Sequence, residues 1–155
     1  DMKCLIFLSV AMVLILSVTD NAQDSSTRFE KQHHIKYLKS HLSEIEKNIL
    51  KSFESDRSGI LASSAMTVRQ LEQIFPEENF SSFIEPLVKI VQDENAETQA
   101  RLLSALALDL LHSDKGDVTI QYTAKYTSNN SVKDLCNCLS IESIKNNLAE
   151  QTYHQ

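Results

Sequence analysis

Histidine side chains near the start of the chain are the residues best suited to binding a metal ion. Imidazole nitrogens bind zinc and copper, and His33, His34 and His41 lie close together in the sequence, with Glu30 nearby. His34 and His41 are seven residues apart, so they would lie two turns apart on one helix face. Helical zinc sites instead place two histidines at i and i+4. The pattern favours an exposed polar helix face, and no metal or other cofactor is predicted.

Two pairs of residues later in the chain offer other possible sites. Cys136 and Cys138 form a Cys-x-Cys pattern, which on a helix points the two thiols to different sides. We expect a core thiol at 136 and a less buried one at 138, and a redox or copper role is the alternative. Asp109 and His112 are three residues apart and could share an ion. At the end of a helix, the histidine is better placed to interact with the last carbonyl groups.

Sequence patterns typical of enzymes are missing from the chain. Gly59 and Gly116 stand alone, so there is no Gly-rich phosphate loop, and there is no Gly-x-Ser-x-Gly elbow. Acidic pairs such as Glu77 and Glu78 are expected to be solvated. Sequons for N-glycosylation begin at Asn79 and at position 129 and matter only in a eukaryotic secretory route. We predict a protein with no catalytic residues.

Tyr122 and Tyr126 are the residues most suited to contact with another protein. Residues 118–126 alternate apolar and polar side chains, which is a strand pattern. A lone strand would leave its backbone unpaired, and no second segment offers a partner, so a short helix is predicted instead. Tyrosines four residues apart on a helix form one aromatic ridge, and aromatic side chains are enriched at interfaces. Packing of both rings under the last helix is the alternative.

The first residues have the organisation of a secretory signal peptide. Lys3 precedes an apolar run of roughly a dozen residues, and small and polar residues follow. This run is shorter than the ~20 apolar residues of a transmembrane helix. Residues 1–22 are predicted to be the signal peptide, with cleavage after Ala22 despite the unusual Asp20, and an uncleaved anchor is the alternative. Residues 23–34 would form a flexible segment, and the protein would be exported to the periplasm or the extracellular space. Membrane contact is expected only through an uncleaved leader.

Composition favours long helices and disfavours a nucleic-acid partner. Gly 2 and Pro 2 are too few for the turns of a β-sandwich or barrel. The 15 basic and 21 acidic residues give a formal net charge of -6, whereas nucleic-acid binding needs a clustered basic face. Apolar spacings of three and four residues predict further helices. These cover approximately residues 29–54, 60–74, 82–92, 96–112 and 132–148.

The fourth of these helices, at 96–112, is the most apolar segment after the leader. A helix that is apolar nearly all round is buried on most sides, so it is expected to be the central element. Ser82 and Glu85 form a capping-box pattern at the start of the third helix. Pro86 falls in the first turn of that helix, where proline is tolerated.

Two stretches of the chain can be aligned on each other with a period of about 40 residues, which is typical of HEAT and armadillo repeats. The offset is 38 before the turn within each stretch and 40 after it. A third, degenerate copy would begin around Lys125. Residues 49–51, 55–56, 65–66 and 71 of the first copy correspond to residues 87–89, 93–94, 105–106 and 111 of the second.

The second copy resembles a HEAT-like repeat over residues 83–91, 93–95, 100–101 and 105–108. Pro86 lies in its first helix, an acidic turn follows, and Arg101 opens an Ala- and Leu-rich second helix. The chain as a whole is similar to the short HEAT-like proteins that envelope-bearing bacteria export. The first copy departs from the pattern, because it lacks the proline and has Ser63 or Ser64 in place of the arginine. The resemblance implies stacked helix pairs, protein contact along one face and no shared catalytic residues.

The predicted fold is therefore all-α: a short right-handed stack of antiparallel helix pairs, or HEAT-like α-solenoid, over residues 35–150. The expected function is that of a non-enzymatic scaffold or adaptor in the cell envelope, which binds another protein or a second copy of itself. The alternative is a helical carrier of a small apolar ligand between the first and fourth helices. The scaffold role is implied by the resemblance, since a fold alone does not define a function.

Overall fold

All regular secondary structure in the described part of the protein is helical. A computed structural model describes the backbone of residues 25–153 and the side chains of residues 33–141. These residues form seven α-helices, one 3-10 helix and no strand, which confirms the predicted all-α class. In chain order the elements are α1 (Ser25–Ser40), α2 (Leu42–Ser52), α3 (Ser58–Ile74), the 3-10 helix (Ser81–Phe83), α4 (Ile84–Gln92), α5 (Thr98–Leu110), α6 (Asp114–Tyr126) and α7 (Asn130–Tyr153).

The chain divides into two compact units, Asp1–Glu46 and Lys47–Gln155. The predicted signal peptide, residues 1–22, lies outside the described residues. The backbone is helical from Ser25 onward, within the segment predicted to be flexible. None of the described helices is both long enough and apolar enough to cross a membrane. The elements from α3 onward all belong to the second unit.

The helix predicted at 29–54 is interrupted at His41. The amide of His41 donates to the carbonyl of Leu38 instead of the carbonyl of Tyr37, which an unbroken α-helix would use. The Tyr37 carbonyl accepts instead from the Ser40 hydroxyl at 2.8 Å and lies 2.9 Å from Nδ1 of His41. Side chains that compete for backbone acceptors in this way end helices. The prediction of one continuous helix was therefore wrong at this position.

The third predicted helix starts later than the capping-box pattern indicates. Ser82 lies inside the 3-10 helix, and α4 follows Phe83 with no side-chain cap. The side-chain hydrogen bond before this helix is made by Asn79, whose Oδ1 accepts from the amide of Ser81 at 2.9 Å. Phe83 is fully buried and stacks on the buried ring of Phe80, so apolar packing fixes the entry into α4. Pro86 falls in the first turn of α4, as predicted.

Residues 118–126 are helical, which confirms the choice of a helix over a strand. Helix α6 begins at Asp114, because the Ser113 hydroxyl accepts from the amide of Gly116 at 3.1 Å and caps the helix. Gly116 lies against the preceding helix: a Cβ there would meet the Ser113 Oγ at 2.9 Å and the Leu108 carbonyl at 3.2 Å. Glycine therefore allows α5 and α6 to approach closely.

Helix α5 is the central element of the second unit, as predicted. It contacts α3, α4, α6 and α7. Its alanines and its serine are all buried, whereas Leu102, Leu103 and Leu106 are only half-buried. The fully buried positions of α5 are Ala100, Arg101, Ser104, Ala105, Ala107 and Leu108.

Helix α3 runs parallel to α5, and α4 runs parallel to α6. Ala62 near the start of α3 and Ala100 near the start of α5 share one buried cluster, and Glu72 near the end of α3 interacts electrostatically with His112 just after α5. For α4 and α6, Glu85 pairs with Lys115 near the two starts, and the turns that follow both helices are also hydrogen-bonded to each other. The starts of α4 and α6 therefore lie together, and so do the turns that follow them.

Candidate interaction surface

Three apolar side chains project from α6 into solvent. Val118 is 65%, Tyr122 56% and Tyr126 59% exposed. They follow one another at intervals of four residues and so form one stripe, here called the α6 ridge. The two tyrosine rings lie with centroids 4.7 Å apart and tilted by 44°. The two tyrosines therefore lie side by side on one helix face, as the sequence predicted. Their exposure to solvent excludes the alternative in which both rings are packed under the last helix.

The composition of α6 explains why its large side chains are outside. Its buried face is made of small or β-branched residues, Gly116, Thr119, Ile120, Thr123 and Ala124. These let α4, α5 and α7 pack closely around it. Of the six large hydrophobic side chains that are exposed in the described residues, half belong to this one helix. Isolated exposed apolar residues are normal, whereas these three lie together on one face of one helix.

One lysine contacts the α6 ridge, and two others, on α4 and α6, interact with Glu85. The ammonium of Lys125 lies 5.1 Å from the centre of the Tyr126 ring, within the range of a cation–π interaction. Lys115 forms an ion pair with Glu85 of α4. Lys89, one turn after Glu85, is exposed, and its charge helps the bond from Lys115 to hold the pKa of Glu85 below its usual value.

A buried arginine lies beneath the end of α6 that carries Tyr126. Arg101 is only 1% exposed, and its Nε donates to the Val91 carbonyl at 3.0 Å. Its Nη2 donates to Glu94 Oε1 at 2.6 Å and to the Thr127 hydroxyl at 3.0 Å. The turn after α4 and the turn after α6 are thus joined through one guanidinium group. Sequence analysis identified Arg101 only as part of a repeat pattern.

Glu94 completes this network from the solvent side. Its Oε1 accepts from the Thr127 hydroxyl at 2.8 Å, and its Oε2 accepts from the hydroxyl of Ser128 at 2.7 Å and from the amide of Ser128 at 3.2 Å. The bond from Arg101, followed by those from Ser128 and Thr127, lowers the pKa of Glu94 to about 2. The carboxylate is therefore ionised at neutral pH and has a structural role.

Asn129 forms a second connection between the turn after α6 and other helices. Its side-chain nitrogen donates to the Thr98 hydroxyl at 2.7 Å, and its oxygen accepts from the amide of Val132 at 3.2 Å. The turn after Tyr126 is therefore fixed both to the start of α5 and to the start of α7. Asn129 begins one of the two sequons, and its side-chain nitrogen is occupied by the hydrogen bond to Thr98. Asn79, which begins the other sequon, is exposed.

The histidines considered as metal ligands are not brought together. His33 and His34 are exposed on α1, and the His41 ring lies 4.2 Å from the Tyr37 ring. The side chain of Glu30 lies outside the described residues. Within the part of the chain whose side chains are described, no three His, Cys, Asp or Glu residues are grouped to hold a metal ion.

The Asp109 and His112 pair lies at the exit of α5. His112 adopts a left-handed backbone with φ 43, the conformation that commonly follows the last turn of a helix. Its backbone amide donates to the Asp109 carbonyl at 3.3 Å. Across the interface with α3, burial raises the pKa of Glu72, and the charge of His112 opposes that shift.

The two cysteines differ in environment as the sequence indicated. Cys136 is fully buried and Cys138 is exposed, and both are free thiols. Burial raises the pKa of Cys136 to about 11, against the opposing charge of Arg101. A thiol with such a high pKa is a poor nucleophile at neutral pH. Cys136 is therefore a core residue of α7.

Comparison with known proteins gives no match. No family model matches the chain, and no curated protein and no solved structure matches it. The α6 ridge and its surroundings are therefore the features from which a function can be inferred.

Proposed function

We propose that this protein is an exported, non-enzymatic helical-repeat scaffold or adaptor of the cell envelope, and that the α6 ridge binds another protein. The observation that carries the proposal is the solvent exposure of Val118, Tyr122 and Tyr126 on one stripe of a well-packed helix. Tyrosine is among the residues that dominate binding energy at protein interfaces. Export is supported by the leader-like sequence of residues 1–22.

Contacts between equivalent helices support a short HEAT-like stack. In such arrays each repeat contacts only its neighbours, and equivalent helices lie side by side. Glu72 and His112, which interact electrostatically, are separated by the same 40 residues as the two aligned sequence copies after their turns. The pair α6–α7 would be the third, degenerate copy.

A scaffold role agrees with the environments of the two groups whose pKa values are most perturbed among the described residues, Glu94 and Cys136. Glu94, the carboxylate with the most strongly lowered pKa, is held by Arg101, Thr127 and Ser128 and joins two turns. The buried thiol of Cys136 has a raised pKa and lies in the core. The bonds from Arg101 to Thr127 and from Ser128 to Glu94 fix the turn that directly follows Tyr126. Pre-organised aromatic side chains bind with less loss of conformational entropy.

Affinity capture after crosslinking in the native cell tests the proposal. The tagged full chain is compared with a Tyr122→Ser, Tyr126→Ser double variant and with Tyr37→Ser, which changes another exposed tyrosine. We expect one dominant protein partner whose recovery falls at least about tenfold in the double variant only, because loss of an aromatic anchor costs roughly 2 kcal/mol.

Two results would contradict the proposed function. Equal recovery of the partner with the double variant would show that the α6 ridge does not bind it. Recovery of a small apolar molecule without any protein, detected by native mass spectrometry, would favour the carrier function instead.

A further inference from the structure

The segment between α3 and α4 carries the first of the two glycosylation sequons, Asn79-Phe80-Ser81. Asn79 and Ser81 are exposed, whereas Phe80 between them is 2% exposed and stacks on the ring of Phe83. The buried ring therefore fixes the segment to the core, while the two sequon residues that a glycosylating enzyme recognises stay on the surface. An N-linked glycan is bulky and hydrophilic, so only such a surface position can carry one in the folded protein.

The side-chain amide of Asn79 uses its oxygen for the fold and not its nitrogen. Its Oδ1 accepts from the amide of Ser81 at 2.9 Å. Its Nδ2 has no hydrogen-bond partner among the residues whose side chains are described. The nitrogen is the atom that bonds to the sugar in an N-linked glycan. A glycan at this position therefore replaces no hydrogen bond within the described residues.

Asn129, which begins the second sequon, is part of the packing between helices. Its Nδ2 donates to the Thr98 hydroxyl at 2.7 Å, and its Oδ1 accepts from the amide of Val132 at 3.2 Å. Ser131 of the same sequon lies in the first turn of α7. A glycan on Nδ2 of Asn129 would not fit beside Thr98 at that distance. It would therefore separate the turn after α6 from the start of α5.

We infer that Asn79 is the N-glycosylation site of the exported protein, and that the folded protein carries no glycan on Asn129. This inference rests on the export part of the proposed function and applies to a eukaryotic secretory route, where the donor is an oligosaccharide on a lipid diphosphate. Nδ2 of Asn79 forms a bond to the anomeric carbon of the oligosaccharide, and the bond from that carbon to the diphosphate oxygen breaks. The lipid diphosphate leaves, and the nitrogen gives one proton to a base of the transferase.

A glycan at Asn79 lies away from the tyrosines of the α6 ridge. Glu85 and Lys115 pair near the starts of α4 and α6, so the segment before α4 lies at the start of α6. Tyr126 lies at the opposite end of α6, which is 13 residues or about 20 Å long at 1.5 Å per residue. Modification of Asn79 is therefore compatible with protein binding by the tyrosines, whereas a glycan on Asn129 would lie beside Tyr126.

Secretion of the full chain from cultured mammalian cells tests the inference. A host signal peptide is added ahead of residue 1, so that delivery to the secretory route does not depend on the protein's own leader. Peptide N-glycosidase F converts the asparagine that carries a glycan to aspartate, so peptide mass spectrometry then locates the site. We expect a glycan at Asn79 of the secreted protein and none at Asn129. Equal occupancy of the two asparagines, or no glycan on the secreted chain, would overturn the inference.

Substitutions in the two sequons identify the site by a second readout, the change in electrophoretic mobility on glycosidase treatment. Ser81→Ala removes the sequon hydroxyl and leaves Asn79 in place, so it is expected to abolish the mobility change. Ser81→Thr keeps a hydroxyl, and Ser131→Ala destroys only the other sequon without changing Asn129, so both are expected to retain it. A mobility change that survives Ser81→Ala and disappears in Ser131→Ala would contradict the assignment of Asn79.

The same chain without the added signal peptide tests export separately. Secretion of this form with a glycan at Asn79 supports both the export proposal and the glycosylation site. Retention in the cytosol would contradict the export proposal, while the form with the added signal peptide still decides whether Asn79 is modified. Secretion of both forms without a glycan would overturn the glycosylation site and leave export intact.

Discussion

Replacement of Arg101 by methionine tests whether the buried guanidinium holds the second unit together. Arg101→Met keeps most of the buried side-chain volume and removes the hydrogen bonds to Val91, Glu94 and Thr127. A hydrogen bond to a charged group contributes about 1.5–3 kcal/mol, and a buried acceptor left unpaired costs about 1–3 kcal/mol. Glu94 is half-exposed, so water can solvate its carboxylate when Arg101 is replaced. The loss of this ion pair therefore costs less free energy than it would for a fully buried carboxylate. We expect the free energy of unfolding to fall by about 2–4 kcal/mol.

The acid dependence of stability gives a second readout for the same substitution. The pKa of Glu94 is lowered from 4.5 to about 2, first by Arg101. A carboxyl with a lowered pKa contributes stability that is present above its unfolded value and is lost as the pH falls through its folded value. The unchanged protein should therefore lose this contribution between about pH 4.5 and pH 2. In Arg101→Met the pKa returns toward its usual value, so this part of the acid dependence should shrink.

Urea unfolding followed by circular dichroism at 222 nm, repeated from pH 7 to pH 2.5, measures both effects. Arg69→Met is the matched control, because Arg69 lies in α3 with a buried Nε that has no hydrogen-bond partner. That control should change stability by less than about 1 kcal/mol. Equal destabilisation by the two substitutions, or an unchanged acid dependence in Arg101→Met, would refute the structural role assigned to Arg101.

Three further substitutions or labelling experiments address other parts of the fold. Ser104→Ala removes a buried hydroxyl without a hydrogen-bond partner and should raise the free energy of unfolding by about 1 kcal/mol in the same urea assay; a loss of stability would indicate an unseen partner for that hydroxyl. Native protein treated with iodoacetamide should be modified at Cys138 and not at Cys136 until urea is added, as peptide mass spectrometry would reveal; rapid native modification of Cys136 would contradict its burial. Gly116→Ala should destabilise by about 1–2 kcal/mol, because the added Cβ would lie 2.9 Å from the capping Ser113 hydroxyl; a higher melting temperature would show that helix propensity outweighs this close contact.

Helix positions were largely predictable from the sequence because they depend on local apolar spacing. The break at His41 was not predicted, since it depends on two side chains competing for one carbonyl. The capping-box pattern at Ser82 also failed, because burial of Phe80 and Phe83 set the start of α4. At both places, side-chain contacts decide where a helix begins or ends, and the spacing of apolar residues does not encode those contacts.

The α6 ridge was partly predictable and the network beneath it was not. The four-residue spacing of Tyr122 and Tyr126 implied a shared face once the segment was taken as helical. Exposure of that face follows only from the small residues on the opposite side and from the packing of α4, α5 and α7 against them. Glu94 and Thr127 are 33 residues apart, and no periodic pattern links them. Long-range polar contacts of this kind can be identified only once the helices are packed against one another.

The order in which the polar contacts can form follows from their separation along the chain. Glu94 and Arg101 are seven residues apart, so the pair can meet as soon as α4 and α5 form a hairpin. The contacts of Glu94 with Thr127 and Ser128 close loops of 33 and 34 residues, which costs more chain entropy. When the helices fold in chain order, the α4–α5 hairpin would present an assembled carboxylate–guanidinium pair before the last two helices are in place. The final hairpin would then dock on an existing template, so its register is set by the segment made before it.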